Sequence, residues 1–503
     1  MTTNLQPPNL ESSGFGQSVT TDVTESLPES LPESFQWMQQ WYPVAVIDTL
    51  DAKRPHRIEV LGKSLVIWRD QQQQWHCFDD ACPHRLVPLS EGRVEADGTL
   101  LCAYHAWRFG PGGKCVGMPQ AKDGATESAH CDSPKACAIA YPTQQRQGLL
   151  WVWPQSGKTG FEASQGRSPN LIPELEQPSE RVVKLFWNHR DLPYGWDYFM
   201  ENVADPGHVV VSHHGLMGSR YSASYYDMPK VRELSTHEGF AFGVQSQSSA
   251  STASIHDFQP PCLMKISTTW EDGGQLILVL YATPTRPGWC RHIGCQVLIK
   301  NEAGKTPPGL GFFAWPMPAW VGHILASLFL HQDLVFLHYQ ERLLGPGGGD
   351  RWLQQTYTPN PQDKMVVTLR QWLKYRAGGG VAWDGNCDPT LPPPEYDKDK
   401  LFDVWSTHTK NCQPCRRALR RLDQVTVLVF GLAIACFGAG IWVDGRAIAL
   451  QVAHGSDPSF WTTPPLAFWG LMVGAGGWAI AAILLRQFRR LFYVYRFEHA
   501  DND

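Results

Sequence analysis

Cys82-Pro-His84 and Cys102-Ala-Tyr-His105, followed by Trp107-Arg-Phe109 and the turn Gly110-Pro-Gly-Gly113, form the stretch whose reading decides this chain. The two pairs are separated by 17 residues, and each offers one thiolate and one imidazole. A Rieske [2Fe–2S] centre needs that stoichiometry: two thiolates hold one iron and two histidines the other, and replacing anionic sulfurs with neutral imidazoles raises the reduction potential from about −400 mV to roughly −150 to +300 mV. A Cys2His2 zinc site uses similar ligands but prefers paired cysteines followed by paired histidines, whereas here each half is mixed. Cys82, His84, Cys102 and His105 are therefore the expected cluster ligands, on β-loops that close over the cluster.

Outward from these loops, short β-type runs such as Val44-Ala-Val-Ile47 and Ser64-Leu-Val-Ile-Trp68 alternate with turns over residues 35–155, which predicts a small antiparallel β domain. Residues 1–34 are polar, repeat Glu-Ser-Leu-Pro at 25–28 and 29–32 and contain no apolar signal run, so a disordered tail is expected. The Pro-, Gly-, Ser- and Gln-rich segment 156–180 reads as a linker. Residues 181–400 mix helical stretches (196–214, 321–344, 362–376) with strand-like ones (274–281, 292–299), the pattern of an α+β domain on an antiparallel sheet. A chain of 503 residues has room for two or three such cores.

Near the end, residues 425–443 and 465–485 are uncharged apolar runs of membrane-spanning length. Arg416, Arg417, Arg420 and Arg421 precede the first, Arg486, Arg489 and Arg490 follow the second, and Arg446 is assigned to the intervening loop. This bias puts the soluble part and the C-terminus on the same, cytoplasmic-type face of the membrane. Net charge is −5 with both signs dispersed, which argues against a nucleic-acid partner. The 13 cysteines lack the spacing of a secreted disulfide scaffold, so the compartment reads as reducing. There Cys412-Gln-Pro-Cys415, in the basic segment 401–424, is a thiol switch, a zinc half-site or a chance pair.

A second constellation is Glu201-Asn202-Val-Ala-Asp205-Pro-Gly-His208 followed by His213. Two histidines and a carboxylate make a facial triad that leaves open positions on Fe(II) for O2 and substrate; by themselves, His208 and His213 fit two surface histidines equally well. Five residues turn about 140° on an ideal helix, so the helix must end, bulge or distort between them, as Pro206 and Gly207 allow. Asp333 is the candidate carboxylate. Its helical neighbours Phe329, Leu330, Phe336 and Leu337 are apolar, so it should face inward, where a metal or a basic partner offsets the cost of burial. Asp205, on the same helical face as His208, can accept that ring's second N–H or act as a helix cap. The aromatic run 312–320 suits either a pocket for a flat ligand or the core.

Taken together, Cys82-x-His84, Cys102-x-x-His105, Asn202-x-x-Asp205-x-x-His208-x4-His213 and Asp333 ahead of Phe336-Leu-His-Tyr-Gln-Glu341 resemble the pheophorbide a oxygenase branch of the Rieske non-haem iron oxygenases, over roughly residues 36–500. That branch also holds chlorophyllide a oxygenase, protochlorophyllide-oxidising relatives and a Rieske protein of the chloroplast envelope translocon. The resemblance implies a helix-grip catalytic domain, a Rieske cluster and mononuclear Fe(II), and oxygen insertion into a chlorophyll-derived tetrapyrrole such as pheophorbide a or chlorophyllide a. It also implies a homotrimer in which Asp205, within the Asn202 motif, bridges a neighbour's Rieske histidine and His208. Ferredoxin is the implied donor, since the chain has no flavin or nicotinamide fingerprint, and thioredoxin is a candidate partner of the Cys-x-x-Cys pair. The acidic 25–34 segment has the wrong charge for a plant transit peptide, so a cyanobacterial homologue in thylakoid or plasma membrane is expected. An electron carrier and a redox-sensing scaffold are the rival classes; a carrier would not need the second metal set.

Overall fold

Short apolar runs pair up early in the chain, Tyr42–Val46 and Leu149–Val152 being buried throughout. In a computed structural model of the protein the described residues are 34–176, 180–246, 252–311, 317–345, 348–455 and 464–501. The tail expected at 1–34 thus lies outside them except for Ser34, and so do residues 312–316 of the aromatic run. Strands Tyr42–Val46, Leu149–Val152 and Thr143–Arg146 make one antiparallel sheet, and His56–Val60, Lys63–Arg69, Trp75–Asp79 and Ala140–Tyr141 make another. A ladder of short strands, Arg93–Val94, Leu100–Leu101, Arg108–Phe109 and Cys115–Gly117, brackets the second Cys/His loop. Val66, Trp68, Phe78, Leu89, Leu100 and Phe109 form a core that takes in Cys82 and Cys102. Behind the loop, Gly113 adopts φ +86°, and a Cβ there would lie 2.1 Å from the Ala138 carbonyl, so the turn needs glycine.

Segment 156–180 is not the free linker its composition suggests. Gly157–Gln165 and Pro173–Glu176 are helical, and Ile172 is fully buried. The Trp41 indole donates to the Arg167 carbonyl at 2.8 Å, and the Asn170 amide donates to the Gln259 and Pro260 carbonyls at 3.2 and 2.7 Å. The strap ties the β lobe to the larger sheet largely through backbone carbonyls, which polar composition cannot report.

That larger sheet is antiparallel, with nine strands among the described residues. It runs Val182–Lys184, Trp289–Ile299, Gln275–Arg286, Leu263–Trp270, Thr252–Gln259, Gly239–Ser246 and Tyr226–Asp227, with Asn188–Leu192 also on Trp289–Ile299 and Lys230–Ser235 also on Gly239–Ser246. Leu334 and Leu337 of helix Ala319–Leu344 join the same core as Ile277, Val279 and Ile293 of the sheet, the expected helix-grip arrangement. This helix is long and apolar enough to cross a membrane, yet its buried side chains include His323, His331, Gln332, Asp333, His338 and Glu341. Buried polar groups need partners, and His331, Gln332 and His338 bond to Arg190, His213 and the Pro193 carbonyl inside the domain, so the helix is the domain's centre.

The first apolar C-terminal run extends well beyond 425–443. A single helix, Gln413–Ala453, takes in the 413–424 end of the basic segment and also Arg446, which was expected in a loop; at 1.5 Å per residue it is about 60 Å long, twice a bilayer core. It packs on Leu466–Arg489, where a Cβ on Gly440 would come within 2.3 Å of Met472 Cε. Only 17% and 11% of their most apolar windows are buried, which disfavours a hairpin inside a soluble core and suits lipid contact.

Candidate functional site

The two Cys/His loops are built alike. Leu86 N–H donates to the Cys82 carbonyl (2.8 Å) and Cys82 N–H to that of Val87 (2.9 Å); Ala106 N–H donates to the Cys102 carbonyl (3.0 Å) and Cys102 N–H to that of Trp107 (2.9 Å). Each turn closes through a non-glycine residue in the left-handed region, Leu86 at φ +58° and Ala106 at +59°, local strain of about 1–2 kcal/mol that the surrounding bonds must hold. The loops bring the His84 and His105 rings to 4.6 Å, with Trp107 stacked on His84 at 4.6 Å and Tyr104 tilted over His105 at 4.0 Å. Cys82 and Cys102 are buried, and desolvation, with Cys102 adjacent, pushes the Cys82 thiol up to about 12. A bare thiolate is disfavoured there, and cationic iron removes that penalty. Among the described residues, His84 Nδ1 is buried without a hydrogen-bond partner. The donor set fits a [2Fe–2S] cluster.

The second site is assembled from distant elements. Helix Trp196–Ala204 is clamped by Arg370, whose buried guanidinium donates to Asp197 Oδ2 and Glu201 Oε2, both at 2.7 Å. The helix then stops at Asp205, and a four-residue helix, Val209–Ser212, follows with His208 and His213 as its caps. The expected break thus falls before His208 as well as at His213. The short helix ends at His213, whose backbone leaves the helical region, and the two rings meet at one point: ring centroids lie 5.5 Å apart, and both Nε2 atoms face Asp333 Oδ2, at 3.9 Å from His208 and 3.2 Å from His213. The three ligand atoms lie within 4.8 Å of one another. Among the described residues, His213 Nε2 and Asp333 Oδ1 are buried without a hydrogen-bond partner, as expected of atoms shaped for a metal.

Both rings are held from behind. His208 Nδ1 lies 2.6 Å from the Asp205 carbonyl, and His213 Nδ1 lies 2.8 Å from Gln332 Oε1. An N–H at each Nδ1 leaves the Nε2 lone pair for a metal. Asp205 therefore anchors His208 through its backbone, not through its carboxylate as expected from a shared helical face; the carboxylate instead accepts Gly207 N–H (2.7 Å) and His208 N–H (3.2 Å). Asn202 meets the site through its own carbonyl, which accepts Asp205 N–H at 3.2 Å. Phe329 stacks on His213 at 3.8 Å, while Phe336 is exposed and packs by His499. Of the aromatic run, Trp320 packs on Phe488 and Phe492 by the second C-terminal helix. Cys412 and Cys415 belong to neither centre.

Residues 40–133 match a Rieske [2Fe–2S] domain model, and residues 258–350 match a pheophorbide a oxygenase model. The chain is 32% identical to the chloroplastic pheophorbide a oxygenase of Oryza sativa subsp. japonica, over 81% of this chain and 78% of the relative. The chain belongs to the pheophorbide a oxygenase family. It is therefore an oxidoreductase of the Rieske non-haem iron type, with a [2Fe–2S] cluster and a mononuclear iron as cofactors. The same family spans other chemistry by name: flavonoid 8-hydroxylase 2 of Ocimum basilicum is 31% identical over 84% of this chain and 86% of its own length. Among solved structures, dicamba monooxygenase with bound dicamba shares the fold at a TM-score of 0.50 and 18% identity, covering 68% of this chain and 98% of that one.

Within this oxygenase, sequence reasoning missed Gln332 as the partner of His213, although it neighbours Asp333. Adjacent residues point about 100° apart on a helix, and only the bend of the 205–213 segment brings His213 to it.

Proposed function

We propose that the chain is a membrane-anchored oxygenase that inserts oxygen from O2 into a large apolar substrate, a chlorophyll-derived tetrapyrrole such as pheophorbide a or chlorophyllide a. In this reading Cys82, His84, Cys102 and His105 hold the cluster, and His208, His213 and Asp333 hold the iron. The observation that carries it is the convergence of two Nε2 lone pairs and one carboxylate at a buried point, each ring tethered at its far nitrogen. Bound there, the two cofactors supply reductive activation of O2. The chain's own residues orient and insulate: Gln332 and the Asp205 carbonyl hold both imidazoles in one tautomer, and Phe329 covers one face of His213.

Asp205 is the group we assign to reach a Rieske histidine of a second copy in a homotrimer, since its side chain keeps 30% of its surface exposed. The exposed Leu86 and Tyr104 beside the Cys/His loops support a docking role for that tip. Ferredoxin is the proposed donor. The arginine flanks support insertion in a thylakoid or plasma membrane with the catalytic domains on the cytoplasmic face, where a lipid-soluble substrate is at hand.

The test is O2 uptake by anaerobically purified, iron-reconstituted protein with a ferredoxin system and either tetrapyrrole, with Asp333→Ala as control. Substrate-dependent uptake that the variant loses while keeping its Rieske spectrum is the expected result. A reducible cluster with no uptake by either form would favour a carrier or sensor, or a substrate outside the chlorophyll series.

A further inference from the structure

The Cys-x-x-Cys pair completes a set that its sequence position hides. Cys412 caps the N-terminus of helix Gln413–Ala453 and Cys415 lies in its first turn; facing them are His323, from the early turns of the central helix, and His408, from the chain just after Val404–Thr407. All four are buried, none more than 3% exposed. His323 Nδ1 lies 3.3 Å from Cys415 Sγ and 3.4 Å from Cys412 Sγ, and His408 Nε2 lies 3.2 Å from Cys415 Sγ. The four ligand atoms fall within 4.8 Å of one another. A tetrahedral zinc, about 2.3 Å from sulfur and 2.0 Å from nitrogen, sets sulfur–nitrogen edges at about 3.5 Å, close to those seen.

Each imidazole is tethered on its far side. His323 Nε2 lies 3.1 Å from the Trp187 carbonyl and His408 Nδ1 lies 2.7 Å from the His189 carbonyl. A carbonyl can only accept, so the ring protons sit on those nitrogens and two lone pairs point at the sulfurs. A Cys412–Cys415 disulfide would remove both S–H donors and leave these lone pairs buried and unsatisfied. Nor could an exchange partner such as thioredoxin reach sulfurs that are 0% and 1% exposed. One Zn2+ with two thiolates and two neutral imidazoles is uncharged overall, which suits a site enclosed by Ile324, Leu419 and Phe492.

We propose that His323, His408, Cys412 and Cys415 form a structural zinc site, distinct from both iron centres, that rivets the first membrane helix to the central helix of the catalytic domain. Four protein ligands leave no open position, which marks the site as structural. Its place in the fold defines its role, because His323 is ten residues, about 15 Å along the helix, from Asp333. The metal thereby fixes the membrane anchor relative to the helix that carries the acid of the iron site.

Full-length protein purified in detergent from cells supplied with zinc and iron should hold about one zinc per chain by elemental analysis, with a zinc-edge EXAFS of two sulfurs near 2.3 Å and two nitrogens near 2.0 Å. The Cys412→Ser/Cys415→Ser double variant should fall below about a tenth of that while keeping the Rieske EPR signal. Should that variant fail to fold, His408→Cys should keep zinc and shift the EXAFS to three sulfurs. Zinc-free wild-type protein with an intact Rieske signal would overturn the proposal. So would zinc retained in full by the double variant, or a Cys412–Cys415 disulfide in anaerobically purified protein.

Discussion

The proposed Rieske tip and iron pocket bring two histidines and two or fewer anionic side chains to one point by opposite means. At the tip all four proposed ligands fall between residues 82 and 105, and each loop is shaped by its own backbone bonds and one left-handed residue. In the pocket His208 and Asp333 are 125 positions apart, and the two histidines depend on groups outside their own short helix: Gln332 behind His213, the Asp205 carbonyl behind His208, and Arg370 clamping the helix that leads in. The tip should therefore tolerate distant damage that the pocket cannot.

The sharpest way to break this contrast is a reciprocal pair. Asp333→Ala should lower substrate-dependent O2 uptake by about three orders of magnitude or more and leave the Rieske EPR signal unchanged; Cys102→Ser should erase that signal yet leave mononuclear iron bound. Loss of the Rieske signal in Asp333→Ala would mean that the two halves are one cooperative unit. A step down in size, Gln332→Leu should weaken iron retention about 10- to 100-fold under chelator challenge, since it removes only the acceptor behind His213.

Acid should separate the halves too. Burial lowers His292 and His338, in the catalytic half, to about 4, against an ordinary 6.5. His338 is built to be neutral: Nδ1 lies 2.6 Å from the Pro193 carbonyl while Nε2 accepts Glu395 N–H at 2.9 Å. The unfolded chain binds these protons first, so stability present above pH 6.5 is lost as pH falls toward 4, by up to roughly 3 kcal/mol per histidine. Iron release between pH 6 and about 4.5 should precede loss of the Rieske signal, and His338→Gln should flatten the fall in unfolding midpoint over that range. The smallest effect is expected at the two apolar C-terminal helices, where Arg489 donates to Asp423 at 2.6 Å with both side chains well exposed. Arg489→Gln should cost under about 1 kcal/mol in thermal unfolding and leave both iron signals intact.

Much of this was legible before any fold was known, because some features are written at short range. Ligand spacing identifies the Rieske loops, period-two and period-3.6 patterns mark the sheets and the central helix, and uncharged runs mark the two long C-terminal helices. The inward face of Asp333 followed from its neighbours, although Phe336 proved exposed. Composition gave only a linker at 156–180, where polar residues form a strap bonded through its backbone, and only the apolar part, 425–443, of a helix that begins at Gln413.

Sequence by itself determined the family, the Cys/His pattern proposed to hold the cluster and the inward face of Asp333, since each depends on residues within one turn, loop or helix face. Only the tertiary structure decided which nitrogen each histidine presents, that Asp205 anchors His208 by its carbonyl, and that His323 and His408 stand over Cys412 and Cys415. The contacts of His213 with Gln332 and of His323 with Trp187 join residues up to 136 positions apart, set by how helices and strands pack, while the Asp205–His208 contact turns on the backbone angles at Asp205, which no residue spacing encodes.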